Sequence, residues 1–153
     1  MDTATCIQEN TMYPEPMIAP FRQELTEAGI KETRTSAEVE KAVAETKGTL
    51  MVIVNSVCGC AAGRMRPGVK MALQHQTVPE STITVFAGQD REATDKARGY
   101  FTGYMPSSPS IGLLREGKLV FMMERSQIER STPELIAAEL ASAFDKFCVK
   151  TTA

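Results

Sequence analysis

The 153-residue sequence predicts an α/β fold, with a central mixed β-sheet flanked by helices and an extra helix at the N-terminus. Three observations predict it. Leu50-Met-Val-Ile-Val54 is an unbroken apolar run rich in β-branched residues, the pattern of a strand buried on both faces. Helix-like and strand-like segments alternate along most of the chain, as in parallel β-α-β units. Near the C-terminus two apolar runs flank Arg115-Glu-Gly-Lys118, and the Glu-Gly pair suits a tight hairpin.

In chain order, residues 1–11 are polar and unpatterned, and are read as a flexible extension to a single domain over residues 12–153. Cys6 is a spectator thiol in that extension. Prolines 14, 16 and 20 precede or open a helix that starts near Met17 or Pro20 and stops at Gly29. Its inner face is Met17, Ile18, Phe21, Leu25 and Ala28. Residues 30–34 form a short edge strand. Thr35-Ser-Ala-Glu38 is a capping box opening a helix that carries Val39, Ala42 and Val43, and Gly48 ends it. The buried strand spans 49–55.

A helix over about 61–75 then buries Met65, Val69, Ala72 and Leu73, kinked by Pro67. Residues 82–87 are a strand. Asp90 caps the next helix, which uses Ala93, Ala97, Tyr100 and Phe101. Tyr100, Phe101, Tyr104 and Met105 are read as core rather than as a surface patch. Strands over 111–114 and 119–123 form the hairpin. Thr132 and Pro133 open a last helix that buries Ile136, Leu140, Phe144, Phe147 and Cys148. Cys148 is read as a small buried hydrophobe.

Composition narrows the function. The chain is 42% hydrophobic and 24% charged with net charge −2, so nothing points to nucleic acid. There is no run of eighteen apolar residues to suggest a membrane partner. The N-terminus lacks the basic and apolar regions of a secretory signal. Four cysteines do not make a disulfide scaffold in a chain of this size, and one histidine, His75, leaves little for a metal site.

The chemistry therefore centres on Cys58-Gly59-Cys60, placed where a buried strand ends and a helix begins. Ligands and reactive groups collect at the carboxyl ends of strands in open α/β sheets. A helix N-terminus favours the thiolate, the form that attacks disulfides. Cys58, nearer that terminus, is the expected nucleophile and Cys60 the resolving thiol. Arg64 and Arg66 are close enough in sequence to add positive potential, or are simply solvated. Gly59 is expected to supply backbone freedom to the small ring of an oxidised Cys58–Cys60 pair, which should be strained and easily reduced. Pro109 directly precedes a strand at the same end of the sheet. A cis bond there would offer the Ser108 backbone to an extended substrate, with Pro106 as the competing position.

Taken together these elements resemble the thioredoxin fold over about residues 30–148. A narrower similarity runs over about residues 12–148. Met12-Tyr-Pro-Glu-Pro-Met17, Arg22-Gln-Glu-Leu-Thr-Glu-Ala-Gly29, Asn55-Ser-Val-Cys-Gly-Cys-Ala-Ala-Gly-Arg-Met-Arg-Pro-Gly68 and Pro106-Ser-Ser-Pro-Ser110 resemble the bacilliredoxin family. The resemblance implies a cytoplasmic bacterial thiol–disulfide oxidoreductase that removes the low-molecular-weight thiol bacillithiol from protein mixed disulfides. Its partners would be thiolated or disulfide-containing client proteins. Bacillithiol would act as co-substrate, with no bound cofactor and no metal. Cys58 would take the adduct, Cys60 would assist its release, and the family's cis-proline role would fall on Pro109. Unlike thioredoxins generally, the motif is Cys-Gly-Cys and the strand over 49–55 carries no acidic residue. The competing readings are a protein disulfide isomerase or general disulfide reductase, a thiolate metal-binding protein, and a non-catalytic interaction module.

Overall fold

Strand β2 (Thr49–Asn55) is buried at every one of its seven positions, and the rest of the sheet is built around it. The computed structural model describes residues 13–148, so Cys6 and the expected extension over 1–11 lie outside the described residues. The remaining elements are α1 (Glu15–Thr26), β1 (Lys31–Glu32), α2 (Ser36–Glu45), a π-helical turn (Ala61–Met65), α3 (Arg66–Ala72), β3 (Ser81–Phe86), α4 (Arg91–Arg98), β4 (Ser110–Arg115), β5 (Lys118–Met123), α5 (Arg125–Glu129) and α6 (Pro133–Phe147). The five strands lie in the order β1-β3-β2-β4-β5. β3 runs parallel to both β1 and β2, while β4 is antiparallel to both β2 and β5.

Alternation along β2 divides the apolar residues into two cores. Met51 and Ile53 face a core shared with Leu25, Val69, Ile136, Leu140 and Phe144. Leu50, Val52 and Val54 face another shared with Val39, Ala93, Ala97 and Phe101. Helices α3 and α6 thus cover one face of the sheet, and α2 and α4 the other. Each fully buried Leu, Ile, Val or Phe in these layers supplies about 1.5–3 kcal/mol. The β4–β5 turn is Glu116-Gly117, both at positive φ (51° and 77°), the pairing of a two-residue hairpin loop.

The expected elements are present, with differences of physical interest. In α1 the buried residues are Ile18, Arg22 and Leu25, whereas Met17 is exposed. Arg22 is inside because its guanidinium grips Asp90 through two hydrogen bonds, 2.7 and 2.8 Å. Asp90 does stand at the N-cap of α4, but its carboxylate faces Arg22 and the Phe86 N–H rather than capping the helix. The capping box of α2 is half formed. Thr35 accepts the Glu38 N–H, while the Glu38 carboxylate accepts the N–H of Arg34.

The helix after the dithiol is not one kinked α-helix. The Arg66 N–H bonds the Ala61 carbonyl five residues back, and Pro67 then sits in the first turn of a new helix that ends at Ala72. Proline has no N–H for the usual bond and its ring crowds the carbonyl four residues back, so the wider π turn accommodates it. Phe101 is core, but Tyr104 and Met105 are exposed, so the expected aromatic cluster is divided. Helix α5 is an additional element, short enough that its periodicity merges with the loop around it.

Candidate active site

The dithiol is set by a polar anchor at the end of β2. Asn55 is fully buried; its side-chain oxygen accepts the Ser56 N–H at 2.9 Å and an Arg66 guanidinium N–H at 3.0 Å. The same Arg66 nitrogen donates to the Ser56 carbonyl, and Arg66 Nε pairs with Glu24 at 2.7 Å. The guanidinium lies 4.8 Å from the centre of the Phe21 ring. Ser56 Oγ then accepts the Cys58 N–H at 3.3 Å. Arg66, read from the sequence as a charge for the thiol or for solvent, is therefore a buried brace. Arg64 Nε donates to the Ser131 carbonyl.

Cys58 sits at the mouth of the helix. Its carbonyl accepts the N–H groups of Ala61 and Ala62, and Gly59 and Cys60 are already helical. Cys58 Sγ accepts the Cys60 backbone N–H at 3.4 Å, as a capping side chain would. Both thiols are free and partly exposed. Burial by itself pushes the Cys58 thiol up, but the Cys60 N–H, the Cys60 thiol, the Arg125 charge and the Ala61 N–H outweigh it, and the net shift is downward. Cys60 is pushed up by burial, by Cys58 and by Glu129, against an opposing pull from Arg125. In this reduced state Gly59 has no positive φ, and a Cβ there would meet nothing within 4 Å, so glycine is not demanded by the helix itself.

The proline loop arrives through the sheet register. Val54 pairs with Ser110, which places residues 107–109 beside the end of β2. The Ser108–Pro109 peptide is cis and Pro109 is buried. A cleft of about 500 Å³ opens here, lined by Ser56, Val57, Cys58 and Ser108 together with Tyr13, Ala87, Gly88, Arg98 and Arg125. Arg98 and Arg125 are site residues that the sequence did not single out. Arg125 donates to the Ser108 carbonyl at 3.3 Å and to Glu129 at 2.5 Å. Its only linear signal is its place two residues after the end of a hairpin strand.

Cys148 and His75 lie elsewhere. Cys148 is buried in the core, where Thr49 Oγ1 donates to its sulfur at 3.2 Å; burial raises its pKa despite that bond. His75 pairs with Asp145 at 2.9 Å. Among the described residues no three His, Cys, Asp or Glu side chains gather where a metal could sit, and no helix is long and apolar enough to cross a membrane.

Comparison with known proteins places this arrangement. Residues 13–148 match the family described as disulphide isomerase. A bacilliredoxin of Koribacter versatilis is 64% identical over 140 residues, covering 92% of this chain and 97% of the relative. A bacilliredoxin of Shouchella clausii is 47% identical over 138 residues, covering 90% and 95%. Among solved structures, reduced thioredoxin pre-protein of Schistosoma mansoni superposes with a TM-score of 0.52 at 12% identity, covering 75% of this chain and 97% of that one. Mitochondrial thioredoxin 3 of Saccharomyces cerevisiae gives 0.52 at 13% identity, covering 78% and 96%. These structures establish a thioredoxin-like fold, and with relatives this similar along nearly its whole length, the chain belongs to the bacilliredoxin family.

Proposed function

We propose that this thiol–disulfide oxidoreductase removes a low-molecular-weight thiol, bacillithiol or a close analogue, from protein mixed disulfides in the cytoplasm. The observation that carries the proposal is the inequality of the two thiols. Cys58 is favoured as thiolate at a helix mouth, while Cys60 is kept protonated one turn-step inward. In the first step Cys58 Sγ attacks the small-thiol sulfur. The protein–thiol disulfide breaks, a Cys58 mixed disulfide forms, and the client leaves as a thiolate that takes a proton. In the second step Cys60, once deprotonated, attacks Cys58 Sγ. The small thiol departs as thiolate and a Cys58–Cys60 disulfide remains for an external thiol to reduce. The backbone around the cis Ser108–Pro109 bond would hold the extended client segment.

A second reading is disulfide isomerisation or general disulfide reduction, favoured by the description of the matching family. It uses the same nucleophile on a different disulfide. Intact mass after mixing reduced protein with a protein–bacillithiol mixed disulfide separates the two. In the proposed reaction Cys60→Ser accumulates one bacillithiol on Cys58 and Cys58→Ser stays unmodified. An adduct on Cys60 would reverse the roles. No adduct on wild type or on either variant would sink the de-thiolation reading and leave isomerisation, tested on a scrambled protein disulfide.

A further inference from the structure

Two arginines from distant parts of the chain meet at the Cys58 cleft. Arg98, the last residue of α4, donates to the Ser107 carbonyl at 3.2 Å. Arg125, the first residue of α5, donates to the Ser108 carbonyl at 3.3 Å. The guanidiniums thus hang from successive carbonyls of one loop, and both line the cleft. Among the described residues no Asp or Glu lines it with them, although Arg125 is also paired with Glu129 outside the lining.

Arg98 is the unusual one. The protein's two most buried arginines are each matched by carboxylates, Arg22 by Asp90 and Glu15, Arg66 by Glu24. Arg98 is partly buried, yet makes no ion pair among the described residues. Its Nε is buried without any hydrogen-bond partner. An enclosed cation left short of partners is costly, and such a group in a native fold calls for an explanation. A planar guanidinium facing this cleft is matched in geometry and charge to an oxyanion, a carboxylate or a phosphate.

We propose that Arg98 and Arg125 form an anion subsite beside Cys58, and that these two guanidiniums are the residues that set small-thiol specificity, holding an anionic group while Cys58 takes up the sulfur. This rests on the function proposed above and assigns the residues that select its small thiol. Cys58 thiolate attacks the sulfur of the anionic small thiol, that disulfide breaks, the new Cys58 disulfide forms, and the other half leaves as thiolate and is protonated. The exchange needs no further oxidant or reductant. The subsite holds the anionic group while the sulfur is transferred, and its charge opposes positively charged thiols.

The test is the rate at which the reduced full chain forms the Cys58 adduct with three symmetrical disulfides. These are 3,3′-dithiodipropionate (anionic), bis(2-hydroxyethyl) disulfide (neutral) and cystamine (cationic). Each rate is divided by that of a free small thiolate, which removes intrinsic reactivity. For wild type the anionic disulfide should exceed the neutral one by about tenfold at low salt, the scale of one charge-assisted hydrogen bond. The cationic disulfide should be slowest, and the spread should shrink at high ionic strength. In Arg98→Gln the anionic-to-neutral ratio should fall several-fold; Arg98→Met, which keeps more of the apolar stem, is the second variant if the first does not fold. A wild-type ratio near one, or an Arg98 variant that keeps the wild-type ratio, overturns the subsite while leaving Cys58 as nucleophile. Failure of all three disulfides to modify Cys58 overturns the underlying reaction and the subsite together.

Discussion

Cys58 Sγ accepts the backbone N–H of Cys60 at 3.4 Å, so under the proposed roles the residue that resolves the disulfide also stabilises the thiolate that attacks. The two roles follow from one turn of backbone. An N–H pointing at the first sulfur belongs to the residue that carries the second, and only the first sulfur receives it.

Alkylation should report this asymmetry. With iodoacetamide, Cys58 should react with an apparent midpoint below the ordinary thiol value of 9.0, and Cys60 with one above it. Peptide mapping after timed alkylation across pH checks both. Equal midpoints would remove the basis for assigning different roles.

The same shift should appear in stability. The folded Cys58 thiol loses its proton at a lower pH than the unfolded one, so between the two values the unfolded chain holds more protons. The Cys58 contribution should therefore grow as pH rises through that window, persist above 9.0, and be lost as pH falls through the folded value, while the raised Cys60 and Cys148 thiols oppose it above 9.0. Urea midpoints of wild type and Cys58→Ser at several pH values check the sign, since the serine variant should lack this component.

Arg125→Gln should raise the Cys58 midpoint and slow its alkylation a few-fold near neutral pH, because the variant removes the Arg125 charge that favours the thiolate. Arg125 is on the surface, so salt should reproduce part of the effect in wild type. At about 1 M ionic strength the screening length is about 3 Å. A salt-insensitive wild type with an unshifted Arg125→Gln would assign the low midpoint to the backbone N–H groups and the Cys60 thiol.

Asp90→Asn should destabilise the protein by about 1.5–3 kcal/mol in urea unfolding, the scale of a hydrogen bond to a charged group, because Arg22 loses the Asp90 carboxylate but keeps its pairing with Glu15. Arg22 and Asp90 side chains are only 5% and 6% exposed. Replacing both together with apolar residues of similar volume should cost less than the single change.

Gly68→Ala should lower stability by about 1–3 kcal/mol through overpacking. An added Cβ would stand 2.7 Å from Ile136 Cγ2 and 2.8 Å from its Cβ, where α3 rests on α6. Thermal unfolding checks it; Ile136→Ala, which removes a buried core side chain and is itself destabilising, should cost less in the Gly68→Ala chain than in wild type, because it removes the Cγ2 contact. Because α3 continues from the dithiol turn, thiol reactivity should fall in the single variant if the helix shifts.

Much of the fold was legible because its causes are local. The period of the apolar residues, the Thr35 and Thr132 caps and the Glu116-Gly117 turn act within a few residues of themselves. So does the seven-residue buried strand that ends beside Cys58. The placement of Cys58 at a helix mouth and of Ser108–Pro109 beside it followed from element order and strand register, which a linear pattern encodes.

Tertiary structure alone decided the charges. Arg22 reaches Asp90 across 68 residues, and Arg66 reaches Glu24 across 42. In the sequence each looks like one more solvated charge on a helix. Arg66 was expected to influence the thiol or face water and instead braces Asn55, whereas Arg125, from just beyond the edge strand β5, adds positive potential at Cys58. Backbone periodicity fixes which face of an element is apolar. It does not fix which long polar side chain will meet which carboxylate, because that depends on how separate elements pack, and a guanidinium can reach in several directions before packing selects one.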